Sequence, residues 1–313
     1  MAITQVSDMG SAGTTAYDLM VNYSLRSEVC FSSPMIRRVK PTNQTHQGST
    51  VKFWFRPDLD PVTTALTEDT DVTAGKVSDT SIDVTITEYG AATGKTLKAE
   101  GVDMIGYDAD LARLNGNQAA DSFELLARAA LTTGATAIRP GDKAQNALLA
   151  TDTLKAHMVR KAVAKLRRDS VGSFGGKYMF FVAPETSLDL REETGDAAWT
   201  TGRNYSEITG INNGEIGTFA GGIFYETPRI ATLADAGDSN VDVYQNFAIG
   251  EEALASAYSR RVSAETPQAK ISPVTDKLSR FHHVGWYWLG GFKRFRPEAS
   301  YVLETASSIG DNA

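Results

Sequence analysis

Cysteine occurs once in 313 residues, at Cys30, so the chain has neither a disulfide framework nor a cysteine-built zinc site. Histidine is nearly as scarce. Its four positions, His46, His157, His282 and His283, have no carboxylate at a spacing that completes a ligand set. No run approaches roughly 18 consecutive apolar residues, which excludes a membrane-spanning helix. Met1 to Asp8 lacks the basic-then-apolar order of a secretory signal, so a cytoplasmic origin is expected. A basic arm is missing too: residues 1–40 carry Arg26, Arg37, Arg38 and Lys40 against Asp8, Asp18 and Glu28, a net of +1. With 31 Lys and Arg against 38 Asp and Glu, the whole chain stands at −7, which disfavours a sequence-reading nucleic-acid binder. What remains is an ordinary globular composition, 42% hydrophobic and 22% charged, with length for about two domains.

Residues 1–48 are polar, rich in Ser, Thr, Gly and Asn, and read as an extended arm that gains order by packing on something else. Two strands are expected next. One spans Val51–Arg56 and ends at Pro57; the other, Ser81–Tyr89, alternates with period two and places Ile82, Val84 and Ile86 on one face. Residues 57–80 between them have loop composition, and a loop of that length is functional or disordered. The pattern turns helical from about Val102 to Thr133, with Asn115-Gly116-Asn117 weakening the middle of one long helix. A second, amphipathic helix is expected over Thr151–Arg168, capped by Thr151 or Asp152, with Leu154, Met158, Ala162 and Leu166 as its apolar stripe. Strands are expected at Tyr178–Ala183, Gly222–Glu226, Val241–Ile249, Lys270-Ile271, within the aromatic block Phe281–Phe295, and at Ala299–Glu304. The fold class is α+β, with segregated helices and mostly antiparallel strands.

Catalytic patterns are few and incomplete. Gly90-Ala91-Ala92-Thr93-Gly94-Lys95-Thr96 is one residue short of a phosphate-binding P-loop, and reads as a glycine-relieved turn after a strand. There is no Gly-x-Ser-x-Gly elbow, and no motif pairs Cys30 with a histidine. The pairs Asp58/Asp60 and Asp69/Asp71 lie in the long loop, where a solvated surface is the simpler account. No cofactor and no metal is expected. Charge distribution is more informative. From Leu66 to Asp79 the loop carries Glu68, Asp69, Asp71 and Asp79 against Lys76 alone, while the 151–168 helix carries Lys155, Arg160, Lys161, Lys165, Arg167 and Arg168. These two sets read as complementary surfaces of neighbouring subunits, the acidic loop of one meeting the basic helix face of the next.

The order of elements, an arm, a long two-stranded loop, a long helix, an amphipathic helix and a mixed C-terminal half, resembles the major capsid protein of tailed bacteriophages, the Hong Kong 97-type fold. Within it the chain is similar to the family typified by the coliphage N4 major capsid protein. Four matches carry this, in the family's order, over roughly residues 50–305. They are Thr63–Glu68 followed by Asp83–Gly90; Asn213–Gly217 with Gly221–Thr227; Pro184 with Asp189-Leu190-Arg191; and Asp276-Lys277-Leu278 with Val284-Gly285-Trp286. Lys277 stands where that family often has proline, and Ala183 where it usually has histidine.

The resemblance implies an N-terminal arm over 1–48, an E-loop hairpin over 49–92, and a P-domain with its spine helix over 93–183. It implies a largely A-domain stretch over 184–250 and a return to the P-domain over 251–313. The implied function is structural: homo-pentamers and homo-hexamers of an icosahedral head around double-stranded DNA, assembled in the host cytoplasm, with no membrane. Portal, decoration and separate scaffolding proteins are the implied partners, the last because only about 50 residues precede the loop. Covalent cross-linking through a loop lysine occurs in one branch of the fold; Lys76 is read here as a solvated lysine. An encapsulin-like nanocompartment shell and, in a different class, a soluble enzyme are the alternatives.

Overall fold

The computed structural model describes residues 30–42, 49–102, 107–193, 215–272 and 276–309, apart from positions 34, 57, 58, 60, 67, 70, 72, 73, 277 and 279. Most of the expected arm, residues 1–29, therefore lies outside the described residues, as do His46, Asp58, Asp60, Asn213, Gly214 and Lys277.

The strand expected over 81–89 is two strands in different sheets. β2 (Thr50–Phe55) and β3 (Thr80–Thr85) form an isolated antiparallel hairpin. The Ile86 N–H still donates to the Ser49 carbonyl at 2.7 Å, extending the hairpin by one step, and β4 (Thr87–Thr96) then runs into another sheet. The shared apolar face survives the break, since Ile82, Val84 and Ile86 all pack with Val51, Phe53 and Phe295. β4 pairs along the first ten residues of β13 (Phe281–Arg294), so the expected turn at 90–96 is extended strand. Its glycines serve close packing: a Cβ on Gly90 would stand 2.9 Å from the Trp286 carbonyl oxygen, and one on Gly285 of β13, which pairs with Ala92, would stand 2.4 Å from that of Ala91. An extended backbone cannot wrap its N–H groups around a phosphate.

β13 is the centre of a five-stranded sheet. It holds β11 (Leu254–Ser259) on one edge and β12 (Gln268–Ser272) further along, while β1 (Arg37–Thr42) lies parallel to β11. β11 escapes sequence reading because Leu-Ala-Ser-Ala-Tyr-Ser is poor in strand-forming side chains. The small residues have a purpose, for Ala255 and Ala257 lie fully buried under the hairpin. A second, seven-stranded sheet runs in the order β5 (Thr136–Ile138), β14 (Ser300–Thr305), β10 (Val243–Ile249), β6 (Tyr178–Val182), β8 (Gly222–Glu226), β7 (Glu215–Phe219), with β9 (Ala231–Leu233) also on β10. Every residue of β6, β10 and β14 is buried.

Helix α1 (Leu97–Val102) is short, and α2 (Tyr107–Thr132) continues unbroken through Asn115-Gly116-Asn117. Asn115 helps rather than interrupts: its Nδ2 donates to the Leu111 carbonyl at 2.9 Å and to Thr93 Oγ1 at 2.5 Å. Residues 111, 115, 119, 123, 127 and 131 form one buried row. Its middle, Ala119 and Phe123, packs on Trp286 and Trp288 of the five-stranded sheet, and its end, Ala127 and Leu131, enters the core of the seven-stranded one. α3 (Ala156–Arg168) buries Met158, Ala162 and Leu166 of the expected stripe, with Val159 and Val163 alongside, in that same core, and Leu154 is buried there from just ahead of the helix.

The expected cap of α3 is corrected. The helix starts at Ala156, and Asp152 instead accepts from Lys143 Nζ at 2.6 Å and from the Leu149 N–H at 2.9 Å. The orphan N–H of Ala156 goes to Glu193 at 2.7 Å, just beyond α4 (Pro184–Glu192), so the cap comes from a remote element.

Gly291 marks the closest approach between hairpin and sheet, where a Cβ would stand 2.0 Å from the Thr85 carbonyl oxygen. Gly291→Ala is expected to destabilise the subunit by roughly 1–3 kcal/mol, read as a lowered urea midpoint with the slope unchanged.

Candidate interaction surfaces

On β2, alternation turns Val51 and Phe53 inward and leaves Trp54 outward at 60% exposure. The stem is tied by Lys52 Nζ to Asp83 at 3.7 Å and by Arg56 Nε to Asp79 at 2.6 Å. Lys40 reaches across from β1, donating to the Lys52 carbonyl at 2.8 Å. Between Phe55 and Thr80 the described residues form no helix or strand. They project large apolar side chains into solvent: Leu59, Val62, Leu66 and Val77 are all more than half exposed, Val62 at 87%. Such a concentration of uncovered apolar surface marks an interaction site.

The acidic residues singled out from the sequence divide into two kinds. Glu68, Asp69 and Asp71 are exposed on the loop, as is Lys76, whereas Asp79 closes the stem through its ion pair with Arg56. On α3, Lys161 pairs with Asp142 at 2.5 Å, Arg160 lies over the Phe219 ring at 5.5 Å, and Arg168 Nε donates to Asp169 at 3.0 Å. Lys155 and Arg167 are exposed, Arg167 lying beside Gly221. The C-terminal end of α3 is further fastened by the Tyr301 hydroxyl, which donates to Asp169, and by Lys165 over the Tyr301 ring at 5.5 Å. Burial, and then that hydrogen bond, push the Tyr301 hydroxyl up from 10.0 to about 12. The same bond, seconded by Arg168, holds Asp169 below the usual carboxylate range.

Two features had no signal in the sequence. The first is Glu124 of α2, fully buried, whose carboxylate accepts the N–H groups of Cys30, Phe31 and Ser32 in succession. It anchors the chain leading into β1. The second is a cavity of about 620 Å³ between α2, β12 and β13, walled by Ala119, Phe123 and Trp286 and reached by Arg37 and Asn115. Arg37 donates from Nη2 to Glu265 at 2.5 Å and lies over the Phe123 ring at 5.6 Å. Among the described residues, no three His, Cys, Asp or Glu gather as a metal site, and no helix is long and apolar enough to cross a membrane.

Residues 126–302 match the family described as phage capsid protein. Comparison with curated proteins finds no match. Among solved structures, the chain is similar to the capsid of Ralstonia phage GP4, with TM-score 0.72 and 15% identity, covering 98% of each chain. It is also similar to the capsid of cyanophage Pam1, at TM-score 0.67, 14% identity, and 99% and 100% coverage. The acidic-stable capsid of Helicobacter pylori bacteriophage KHP30 gives TM-score 0.67 at 12% identity, covering 98% of each chain. At such low identity these likenesses establish the Hong Kong 97-like capsid fold.

Glu124→Ala leaves two buried N–H groups and one half-buried one without an acceptor and is expected to cost about 3 kcal/mol or more, measured by chemical denaturation. Tyr301 has its folded pKa raised, so its contribution is whole below pH 10.0 and is lost as pH rises toward about 12. Tyr301→Phe is expected to remove the last tyrosinate absorbance step in that window and to flatten the alkaline fall in stability.

Proposed function

This chain belongs to the phage capsid protein family, and on that footing we propose how it builds a shell. It is a structural protein of the virion capsid rather than an enzyme, and it self-assembles. In our reading the subunits form pentamers and hexamers of an icosahedral head that encloses double-stranded DNA. The observation that carries this is the loop between β2 and β3, which lifts Leu59, Val62, Leu66 and Val77 off its own subunit. A monomer gains nothing from such exposure; a shell subunit gains a grip on its neighbour.

The proposed division of the chain is an arm over 1–48, an E-loop over 49–92, a P-domain over 93–183 with α2 as its spine helix, an A-domain mainly within 184–250, and a return over 251–313. The N4-type motifs support placing it in that branch. A net charge of −7 suits a wall that surrounds DNA without gripping it. Portal, decoration and separate scaffolding proteins complete the proposed partners.

At the subunit contact, Glu68, Asp69 and Asp71 meet cations of the next copy, the exposed Lys155 and Arg167 of α3 foremost among Lys155, Arg160, Lys161, Arg167 and Arg168. Purified protein is expected to show shells or capsomers of uniform size by electron microscopy; a persistent small monomer would overturn the reading. Replacing Glu68, Asp69 and Asp71 together by Lys is expected to block shells while the subunit melts normally. Normal shells from that variant would remove the acidic loop from the contact.

A further inference from the structure

Asn115 is followed by Gly116 in the middle of α2. In a flexible chain asparagine cyclises most readily before glycine, whose amide nitrogen has no side chain beside it and whose backbone turns freely. That nitrogen attacks Asn115 Cγ, the Cγ–Nδ2 bond breaks, and ammonia leaves with the proton that the amide gives up. Water then opens the succinimide at either carbonyl, leaving aspartate or isoaspartate at position 115.

The fold closes each step of this route. Within α2 the Gly116 N–H is committed to the carbonyl four residues back. The Asn115 amide is turned away from it, Nδ2 donating to the Leu111 carbonyl at 2.9 Å and to Thr93 Oγ1 at 2.5 Å. At 4% exposure, Asn115 is also shielded from the water that ring opening consumes. We propose that Asn115-Gly116 is a deamidation site open only in the unfolded chain, and that the modified chain is barred from the native state. Folding in time preserves the subunit; delay retires it.

The bar follows from what surrounds the amide. Aspartate would put a carboxylate oxygen where Nδ2 now donates, against the Leu111 carbonyl. The Thr93 hydroxyl already donates to the Val284 carbonyl at 3.2 Å and has no second proton to offer. The other oxygen inherits the place of Oδ1, which is buried without a hydrogen-bond partner. A carboxylate so placed faces acceptors that the amide met as a donor, and its burial is costly. Isoaspartate does more harm, because it threads the side-chain methylene into the main chain and shifts the rest of α2 out of helical register. The buried row from Leu111 to Leu131, which joins α2 to both sheets, is then split.

Gly116 allows the site to be silenced. It is exposed, and a Cβ there meets nothing within 4 Å, so Gly116→Ala favours the helix while shielding the attacking nitrogen.

The proposal concerns the single subunit and does not depend on the shell reading. The full chain is held in guanidinium chloride at mildly alkaline pH for increasing times, diluted to refold, and separated from aggregate by size. Peptide mass spectrometry is expected to find deamidation at position 115 about tenfold scarcer, or more, in the refolded fraction than in the unfractionated sample. In chain kept folded throughout, the same reaction is expected to run about a hundredfold slower or more, since it proceeds only through opened molecules. Equal rates in folded and unfolded chain would overturn the proposal, as would modified chains refolding in full proportion. Gly116→Ala is expected to lose refolding yield more slowly than the unsubstituted chain; equal loss would overturn it. Asn115→Asp, which supplies the milder product outright, is expected to lower the denaturant midpoint, and an unchanged midpoint would overturn it too.

Discussion

A helix turns about 100° per residue, so a row of side chains every four residues gains about 40° at each step. α2 buries such a row from Leu111 to Leu131, and across it the buried face swings through about 200°. That drift is why one unbroken helix serves two cores. Phe123 faces the Trp288 cluster of the five-stranded sheet, and two steps later Leu131 enters the core of the seven-stranded sheet. The relative placement of the two sheets, and of the hairpin that rides on β13, follows from the winding of this row. A polar member, Asn115, is tolerated because its amide bonds back to Leu111 and across to Thr93.

Small residues do the complementary work wherever strands and hairpin approach closely. Gly90, Gly285 and Gly291 leave no room for a Cβ, and Ala255 and Ala257 form the floor on which Val51 and Phe53 rest. Large aromatics fill the space so defined: Trp288 stacks on Tyr89 and Phe292 and takes Phe123 edge-on. Large and small side chains thus interdigitate across the β4–β13 pair, and each position is sensitive to volume in one direction.

Legibility from sequence follows how local each cause is. β2, β6 and the buried stripe of α3 could be read because a β-rich run ending at Pro57, an apolar run between Gly176 and Pro184, and helical spacing encode them within a few residues. The break at Ile86 could not, since the alternation of 81–89 runs through it and only the partners, β2 on one side and β13 on the other, separate the two strands. β11 was hidden by the small side chains that its packing demands, and the true cap of α3 sits on Glu193, remote in sequence. The loop's acidic residues and uncovered apolar ones were legible as composition. The basic face of α3 was legible too, but not the intramolecular partners Asp142, Phe219 and Asp169 that occupy much of it. Asn115 was legible only as a helix-weakening residue, and Arg37 only as a charge, because the cavity they share forms only where β1 and α2 meet.

Glu124 has a mechanical consequence. The three N–H groups of Cys30, Phe31 and Ser32 converge on one carboxylate in the middle of α2. A pull on the preceding chain therefore loads these bonds together rather than one after another, and the force enters the helix instead of peeling β1 from the sheet edge. The row that joins α2 to both cores then spreads the load through the whole subunit. Tension arriving at the N-terminal side is borne by the body of the protein, which is the behaviour of a tether fixed to a beam.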